Sequence, residues 1–216
     1  MGMTLRELRQ LVRQGEGEQL EFKRKANHPD KIVKEMVAFA NTRGGHLLIG
    51  VDDNGDMPGL RFADEERFVM EQAMKKYCWP PIPHTLLEVE VDEQHTILLY
   101  EIEESTTKPH IVIEDFEERR GKAFYRVADR SIQASRELKQ IIRRSGHGQV
   151  RFNYGDKEKL LMQYLEEHES ITLRHFAELA HIPRWKASRC LILLTLAGVL
   201  RILPDSVEDK YVGAFA

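Results

Sequence analysis

The chain has 216 residues, 42% hydrophobic and 31% charged, a composition typical of globular proteins with room for one large or two modest domains. Its 32 Lys and Arg against 35 Asp and Glu give a formal net charge of −3, so any nucleic-acid site must be a local basic patch rather than a general field. With two Cys, no signal-peptide pattern and no apolar run near the roughly 20 residues that span a membrane, we expect a cytoplasmic protein without a membrane partner.

The first elements in the chain alternate between helical and strand patterns. Apolar spacing predicts helices at 5–14, 30–41 and 64–77, and strands at 18–23 and 47–51. The second helix ends at a group of residues that favour a helix stop, Asn41, Thr42, Gly44 and Gly45. The continuous apolar run Leu47–Val51 predicts a buried central strand, and Asp52-Asp53-Asn54-Gly55 predicts a tight turn after it. A carboxylate pair directly after a rigid strand is well placed to be aimed at a ligand.

The middle of the chain has mostly strand patterns. The proline-rich segment 79–83 predicts an extended linker, because proline cannot donate to a sheet ladder. Strands are predicted at 86–91, 96–102, 111–113 and 122–128, with a charged loop at 114–122. Residues 135–144 predict a basic amphipathic helix, and the glycines of Ser145–Gly148 mark a boundary. We therefore expect an α+β domain at 1–147 and a linker at about 149–155.

The last 60 residues show a different pattern. Helices are predicted at 156–168, at 172–180 and from about Pro183 to Ala197, followed by short strands at 199–203 and 210–212. Three helices followed by a β-ribbon are typical of the winged helix-turn-helix, which gives a second domain at 156–216.

The third of these helices predicts a nucleic-acid contact. Arg184, Trp185, Ser188 and Arg189 share its outer face, since positions three and four apart are neighbours. Guanidinium groups, a hydroxyl and an indole there can contact phosphates and base edges. The alternatives are a solvated face or a protein contact. Three acids near the wing tip, Asp205, Glu208 and Asp209, would repel phosphates.

Two further sets of charged residues are candidates in the first domain. The acids Glu16, Glu18, Glu21, Asp52 and Asp53 would hold a divalent metal if two or three converge, although the spacing alone favours a pair of solvated acidic turns. The cations Lys23, Arg24 and Arg126 are candidate phosphate contacts, and the alternative is a mixed surface paired with acids. No G-x-x-x-x-G-K-[ST] or H-E-x-x-H motif is present, so neither nucleotide triphosphate nor a histidine-bound metal is indicated.

The N-terminal segment resembles a known family through three spaced groups of residues. They are Glu16-x4-Glu21-Phe22-Lys23, Ile32-x2-Glu35-x3-Phe39-Ala40-Asn41-Thr42-x-Gly44-Gly45 and Leu48-Ile49-Gly50-Val51-Asp52-Asp53-x-Gly55. This pattern is similar to the Schlafen-type AlbA-like DNA-binding domain of bacterial regulators, and it continues more loosely through Lys108-Pro109-His110 and Tyr125-Arg126-Val127. The resemblance implies an AlbA/Schlafen-like mixed sheet with helices, often followed by a winged helix, and a role on nucleic acid.

The resemblance also implies a catalytic alternative. Eukaryotic Schlafen relatives are similar to RNA endonucleases that use three carboxylates to bind metal, and the matching positions here are Glu16, Glu21 and Asp53. Our first hypothesis is a DNA-binding transcriptional regulator without a resident cofactor. The alternatives are a metal-dependent endoribonuclease using Mg²⁺ or Mn²⁺, and a protein-interaction or dimerisation module that would make the chain a homo-oligomer.

Overall fold

The structure, a computed structural model, describes residues 2–145 and 153–214 of the chain. It has an α+β fold and divides into two compact units, Met1–Gln133 and Ala134–Ala216. The predicted boundary at 145–148 and the linker at 149–155 fall largely on residues 146–152, which lie outside the described residues. The division comes before the predicted helix at 135–144 rather than after it, because that helix packs within the second unit.

The elements of the first unit are three helices and nine strands among its described residues. The helices are α1 (Leu5–Val12), α2 (Pro29–Asn41) and α3 (Ala63–Tyr77). The strands are β1 (Leu20–Lys23), β2 (Gly45–Ile49), β3 (Cys78–Trp79), β4 (His84–Asp92), β5 (His95–Ile102), β6 (Ile111–Asp115), β7 (Arg120–Lys122), β8 (Phe124–Val127) and β9 (Arg130–Gln133).

A four-stranded mixed sheet with the order β1-β2-β5-β4 forms the centre of the first unit. β1 and β2 are parallel and are joined through α2, whereas β2–β5 and β5–β4 are antiparallel. Leu47 and Ile49 pack in the core that contains α2 and α3, and Leu48 packs with α1 on the other face. Burial on both faces explains why the run Leu47–Ile49 of β2 is apolar rather than alternating.

Two glycines bring the end of α2 close to the sheet, as the sequence predicts. Gly44 has a φ of +73°, in the left-handed region that favours glycine, and its N–H donates to Phe39 O at 2.9 Å. A Cβ added at Gly45 would lie 2.6 Å from the ring of Phe39, so only glycine allows α2 to pack this closely against the start of β2.

Buried polar side chains join the end of α2 to two later segments. Asn41 is 1% exposed; its amide donates to the carbonyls of His110 and Phe124, each at 2.9 Å, and its Oδ1 accepts from His110 N–H at 2.8 Å. The His110 ring is buried between Pro80 O at 2.8 Å and Ser105 Oγ at 2.6 Å, and burial lowers the pKa of His110. These bonds pair backbone groups at His110, Phe124 and Pro80 with buried side chains.

The second unit contains four helices and three strands in its described part. They are α4 (Arg136–Arg144), α5 (Asp156–Glu167), β10 (Ile171–Thr172), α6 (Leu173–Leu179), α7 (Arg184–Leu196), β11 (Leu200–Leu203) and β12 (Lys210–Gly213). The strands form an antiparallel sheet with the order β10-β12-β11. Leu161, Phe176, Leu191 and Tyr211 are nearly fully buried and give this unit a core of its own.

Each helix expected from the sequence is present within a few residues of its predicted bounds, but the shortest strands were not predicted. The expected loop at 114–122 is wrong at its end, because β7 pairs with β6. β3 and β10 take their conformation from pairing with distant segments, and β9 from a hairpin with β8. Within the described ranges, no helix has both the length and the apolar character needed to traverse a bilayer.

We expect Asn41→Ala to destabilise the first unit strongly. The change removes the Asn41 partner of two carbonyls and one N–H, and at about 1–3 kcal/mol for each unsatisfied group the free energy of unfolding should fall by at least about 3 kcal/mol. Urea unfolding followed by circular dichroism measures the change. The exposed hairpin residue Gln94 provides a control, since Gln94→Ala should stay within about 0.5 kcal/mol; equal effects of the two changes would contradict the assigned role of Asn41.

Candidate functional site

A buried arginine lies at the junction of the elements that carry the sequence motif. Arg126, on β8, is 2% exposed. Its guanidinium donates to Glu21 Oε2 at 2.6 Å, to Glu35 Oε2 at 2.9 Å and to Gly17 O at 2.8 Å, and it lies 4.9 Å from the centre of the Phe39 ring. The prediction that Arg126 contacts phosphate is wrong, because its donors are used inside the protein.

Other polar groups surround the same two glutamates. Lys23 Nζ bonds both Glu21 Oε1 and the carbonyl of Phe22, the latter at 2.7 Å. Lys34 lies 3.4 Å from Glu35 Oε1, and Ser131 donates to Glu35 Oε2. The Lys23 side chain is half-buried, and its ammonium group is paired with Glu21.

Arg24 differs from the other two predicted phosphate contacts of the first unit. Its side chain is 71% exposed and lies 3.5 Å from Asp52 Oδ1, in a loose ion pair on the surface. An exposed pair of this kind is weak and can exchange for another anion. Of the three predicted cations, Arg24 is the one that the structure leaves open to solvent.

The structure brings the three candidate carboxylates into electrostatic contact. Partial burial of its carboxyl raises the pKa of Glu16. The hydrogen bond that this carboxyl accepts from Phe22 N–H at 2.9 Å lowers the pKa, as does the charge of Lys23, whereas the negative charges of Glu21 and Asp53 raise it further. Asp53 itself is exposed in the turn after β2. The charges of Glu21 and Asp53 therefore reach the Glu16 carboxyl, and the role of the three residues stays a prediction.

These carboxylates do not form a ready metal site. Both oxygens of Glu21 are bonded to cations, one to Lys23 and the other to Arg126. Across residues 2–145 and 153–214, no group of three or more His, Cys, Asp or Glu is arranged to hold a metal ion. The observed donor set therefore does not fit a bound Mg²⁺ or Mn²⁺ without a change at Glu21.

A cleft of about 610 Å³ at the start of β1 is acidic rather than basic. Its charged lining residues are Glu16, Glu18, Arg43, Glu101 and Glu103. Arg43, the arginine of this cleft, lies 3.8 Å from Glu18, so its charge is next to an acid. Such a cleft repels a phosphate backbone.

The second unit contains a groove of the opposite charge. Four arginines, Arg136 and Arg144 on α4 and Arg184 and Arg189 on α7, line a groove of about 730 Å³. Glu137, Gln140, Trp185 and Ser188 also line it, together with Leu173 and Ile192. Among the described residues, no carboxylate forms an ion pair with any of the four guanidinium groups. Counting the four arginines and Glu137, the lining has a formal charge of +3.

All four residues predicted on the outer face of α7 meet in this groove. Arg184 and Arg189 are exposed and Trp185 is 62% exposed, whereas Ser188 is half-buried. Ser188 Oγ donates to Glu137 Oε1 at 2.6 Å, which joins α7 to α4 and occupies the one acid of the groove. Their contact with nucleic acid stays a prediction.

Sequence reasoning missed the contribution of α4 to this groove. The basic amphipathic pattern of 135–144 was recognised but was assigned to the first domain. The signal that could have placed it is its apolar stripe, Leu138, Ile141 and Ile142, which is buried. The Arg136 and Arg144 side chains then lie on the polar side, toward α7.

The sequence suggested that the acids near the β-ribbon face solvent, but one of them, Asp209, does not. Asp209 is 8% exposed; it accepts from Ser135 Oγ and, at 3.1 Å, from Asp205 N–H. Burial raises the pKa of Asp209, partly opposed by these two bonds. Since Ser135 also caps α4 through Leu138 N–H at 3.0 Å, Asp209 fixes the start of α4. It is a structural residue and not one of the repelling acids expected from the sequence.

Comparison with known proteins places the first unit in a family. Residues 16–135, more than half of the chain, match the family model described as Schlafen, AlbA_2. The DIP2311 protein from Corynebacterium diphtheriae, a crystal structure, is 18% identical with a TM-score of 0.44, and the match covers 63% of this chain and 31% of that one. The N-terminal domain of a RecG-related protein from Nitrosomonas europaea, a solution NMR structure, is 20% identical with a TM-score of 0.42. That match covers 71% of this chain and 99% of that one. No curated protein matches the sequence.

We expect Arg126→Met to destabilise the first unit by about 3–5 kcal/mol, the usual cost of leaving buried charges unpaired. Glu21 and Glu35 would lose their shared partner. Arg126→Lys should restore little of this loss, because an ammonium cannot span acceptors that a planar guanidinium reaches with five donors. Urea unfolding measures both variants. Arg24→Met serves as the control for removing a cation near β1, and a comparable loss in that variant would refute the assigned role.

Proposed function

We propose, from the premise that the chain belongs to the Schlafen AlbA_2 family, that it is a DNA-binding regulator of transcription whose second unit holds the nucleic acid. The family supports a role related to nucleic acid. The assignment to DNA and to transcription is our own inference, as is a cytoplasmic location, which suits its two buried free cysteines.

The observation that carries this proposal is the set of four arginines in the groove between α4 and α7. Arginine binds phosphate oxygens through two parallel N–H donors, and it stays charged at any physiological pH. Because these guanidinium groups have no carboxylate partner in the described structure, a phosphate backbone would not have to displace one. The groove therefore supplies the local basic patch that an acidic chain needs in order to bind a polyanion.

The order of elements in the second unit supports a winged helix-turn-helix. α5, α6 and α7 are followed by the β11–β12 hairpin, and β10 extends this hairpin into a small sheet. Thr172 accepts from His175 N–H at 3.2 Å and so begins α6 as an N-cap. We infer that α6 and α7 form the helix-turn-helix, in which α7 is the helix that contacts nucleic acid.

We expect the double change Arg184→Ala/Arg189→Ala to weaken nucleic-acid binding and to reduce its salt dependence. Each phosphate contact releases condensed counterions, so the loss of two should reduce the slope of log K against log salt by about 1.8 for duplex DNA. Fluorescence anisotropy with a labelled oligonucleotide, at several salt concentrations, measures affinity and slope together.

Lys159→Ala is the matched control for this experiment. Lys159 is an exposed cation in the same unit, on α5, and is not among the residues that line the groove. The control should bind like the unchanged protein. If the double variant binds with the same affinity and slope as the control, the groove is not the site.

A metal-dependent endoribonuclease is the second candidate, and two observations favour keeping it. Glu16, Glu21 and Asp53 interact electrostatically, and a hollow beside Asp53 is lined by Arg9 of α1 and by Arg13, which directly follows that helix; both would attract a phosphate. The pairing of Glu21 argues against a preformed site.

The ribonuclease proposal predicts that pure protein cleaves structured RNA with Mn²⁺ or Mg²⁺, that EDTA abolishes the cleavage, and that Glu16→Gln reduces it at least tenfold. Gel analysis of a labelled RNA measures the rates. Glu18→Gln is the control, since it removes a neighbouring acid that is not among the three candidates. Cleavage that persists in both EDTA and Glu16→Gln would rule out these roles.

The third candidate is a protein-interaction module. The exposed Trp185 is compatible with a contact between two copies of the chain. Dimerisation therefore stays a prediction, which sedimentation of the protein without nucleic acid would decide.

A further inference from the structure

The groove between α4 and α7 combines positive charge with an exposed aromatic ring. Trp185 is 62% exposed in a groove lined by four arginines. A tryptophan ring in a groove wall offers a flat surface on which another flat ring can stack. The pairing of cations with a stacking platform is characteristic of sites that hold unpaired nucleotides.

The packing of α4 against α7 limits what the groove can accept. The bond between Ser188 and Glu137 holds the two helices together along the middle of α7. One helix with its side chains is about 10–12 Å across, and the major groove of B-DNA is about 12 Å wide, so it admits one helix. At Ser188, α7 and α4 together are wider than the major groove, so this part of α7 does not easily reach a base edge in duplex DNA.

We propose that this groove binds a single-stranded polynucleotide, with the arginines on α4 and α7 contacting successive phosphates and Trp185 stacking on a base. This inference rests on the proposed function and specifies the strand that the same site takes. The shared chemistry is an unpaired sugar-phosphate chain, from either DNA or RNA.

The residues around Trp185 fit this arrangement. Lys186 Nζ lies 5.4 Å from the centre of the Trp185 ring, a cation–π contact that an exposed site makes weak. Arg189 lies one helical turn from Trp185, on the same face of α7, so a phosphate next to a stacked base comes within its reach. Gln140 adds an amide that can bond a base edge or a sugar without strong sequence preference.

The chain offers a direct probe of the ring, because it contains two tryptophans. In a Trp79→Phe background, Trp185 is the remaining source of indole fluorescence. We expect single strands of about 15 nucleotides, oligo(dT) and oligo(rU), to quench this fluorescence and to bind more tightly than a duplex of equal length. Binding by anisotropy and quenching are measured in the same titration.

Substitution of the ring separates stacking from charge. Trp185→Ala should weaken single-strand binding roughly 5- to 150-fold, the range expected for the loss of one stacked base, while Trp185→Phe should retain most of the affinity. Since Trp185 is largely exposed, we expect both variants to fold normally, which circular dichroism would test. Arg136→Ala tests whether α4 takes part, with Lys159→Ala again as the control.

The outcomes distinguish this inference from the function on which it rests. Stronger binding of either single strand than of duplex, with quenching and loss in Trp185→Ala, supports the proposal, and the comparison of oligo(dT) with oligo(rU) identifies the sugar. Duplex that binds as tightly as the single strands, without quenching, overturns the inference and leaves the proposed function intact. If no polynucleotide binds even at low salt, both fail.

Discussion

The fold of the first unit depends on one buried guanidinium, that of Arg126, whose acceptors lie on three elements far from it in the sequence. Arg126 bonds the turn before β1 through Gly17, β1 through Glu21 and α2 through Glu35. A charge of this kind is tolerated in a protein interior only when ion pairs and hydrogen bonds replace the water that it loses. Because each partner lies on a different element, the bonds form together only when β1, α2 and β8 are all in place.

The motif residues of the first unit serve this same junction. Thr42 Oγ1 accepts from the backbone N–H of Arg126 at 2.9 Å, and the Thr42 carbonyl accepts from Lys108 Nζ at 2.9 Å. Asn41 bonds the backbone on both sides, at His110 and Phe124. The residues through which the sequence resembles its family therefore connect the end of α2 to the segments around 108–110 and 124–127. Their observed bonds stabilise the fold, so the motif indicates a fold rather than a chemical activity.

The helices, the central strands and the α+β class follow from local patterns, because periodicity of apolar residues reflects the face that each element buries. The shortest strands, such as β7, do not, since a two- or three-residue strand is defined by its partner rather than by its own sequence. The same limit applies to single residues. Nothing near Arg126 in the sequence shows that Glu21 and Glu35 will meet it, and nothing near Asp209 shows that it will accept a bond from Ser135. The face of α7 was predictable because its four residues lie within one helix, whereas α4 joins them only through tertiary packing.

The distribution of paired and unpaired cations explains how a chain with a net charge of −3 can present a basic site. In the first unit two cations of the motif region, Lys23 and Arg126, are bonded to acids and carbonyls, so they contribute stability and little external field. In the second unit the four arginines of the groove have no carboxylate partner among the described residues. Since the field at a binding surface depends on charges that neighbours have not neutralised, the local groove and not the total charge decides whether a polyanion binds. The family match ends at residue 135, and the groove residues all follow it, so the part of the chain that identifies the family and the part in which we propose the nucleic-acid site are different.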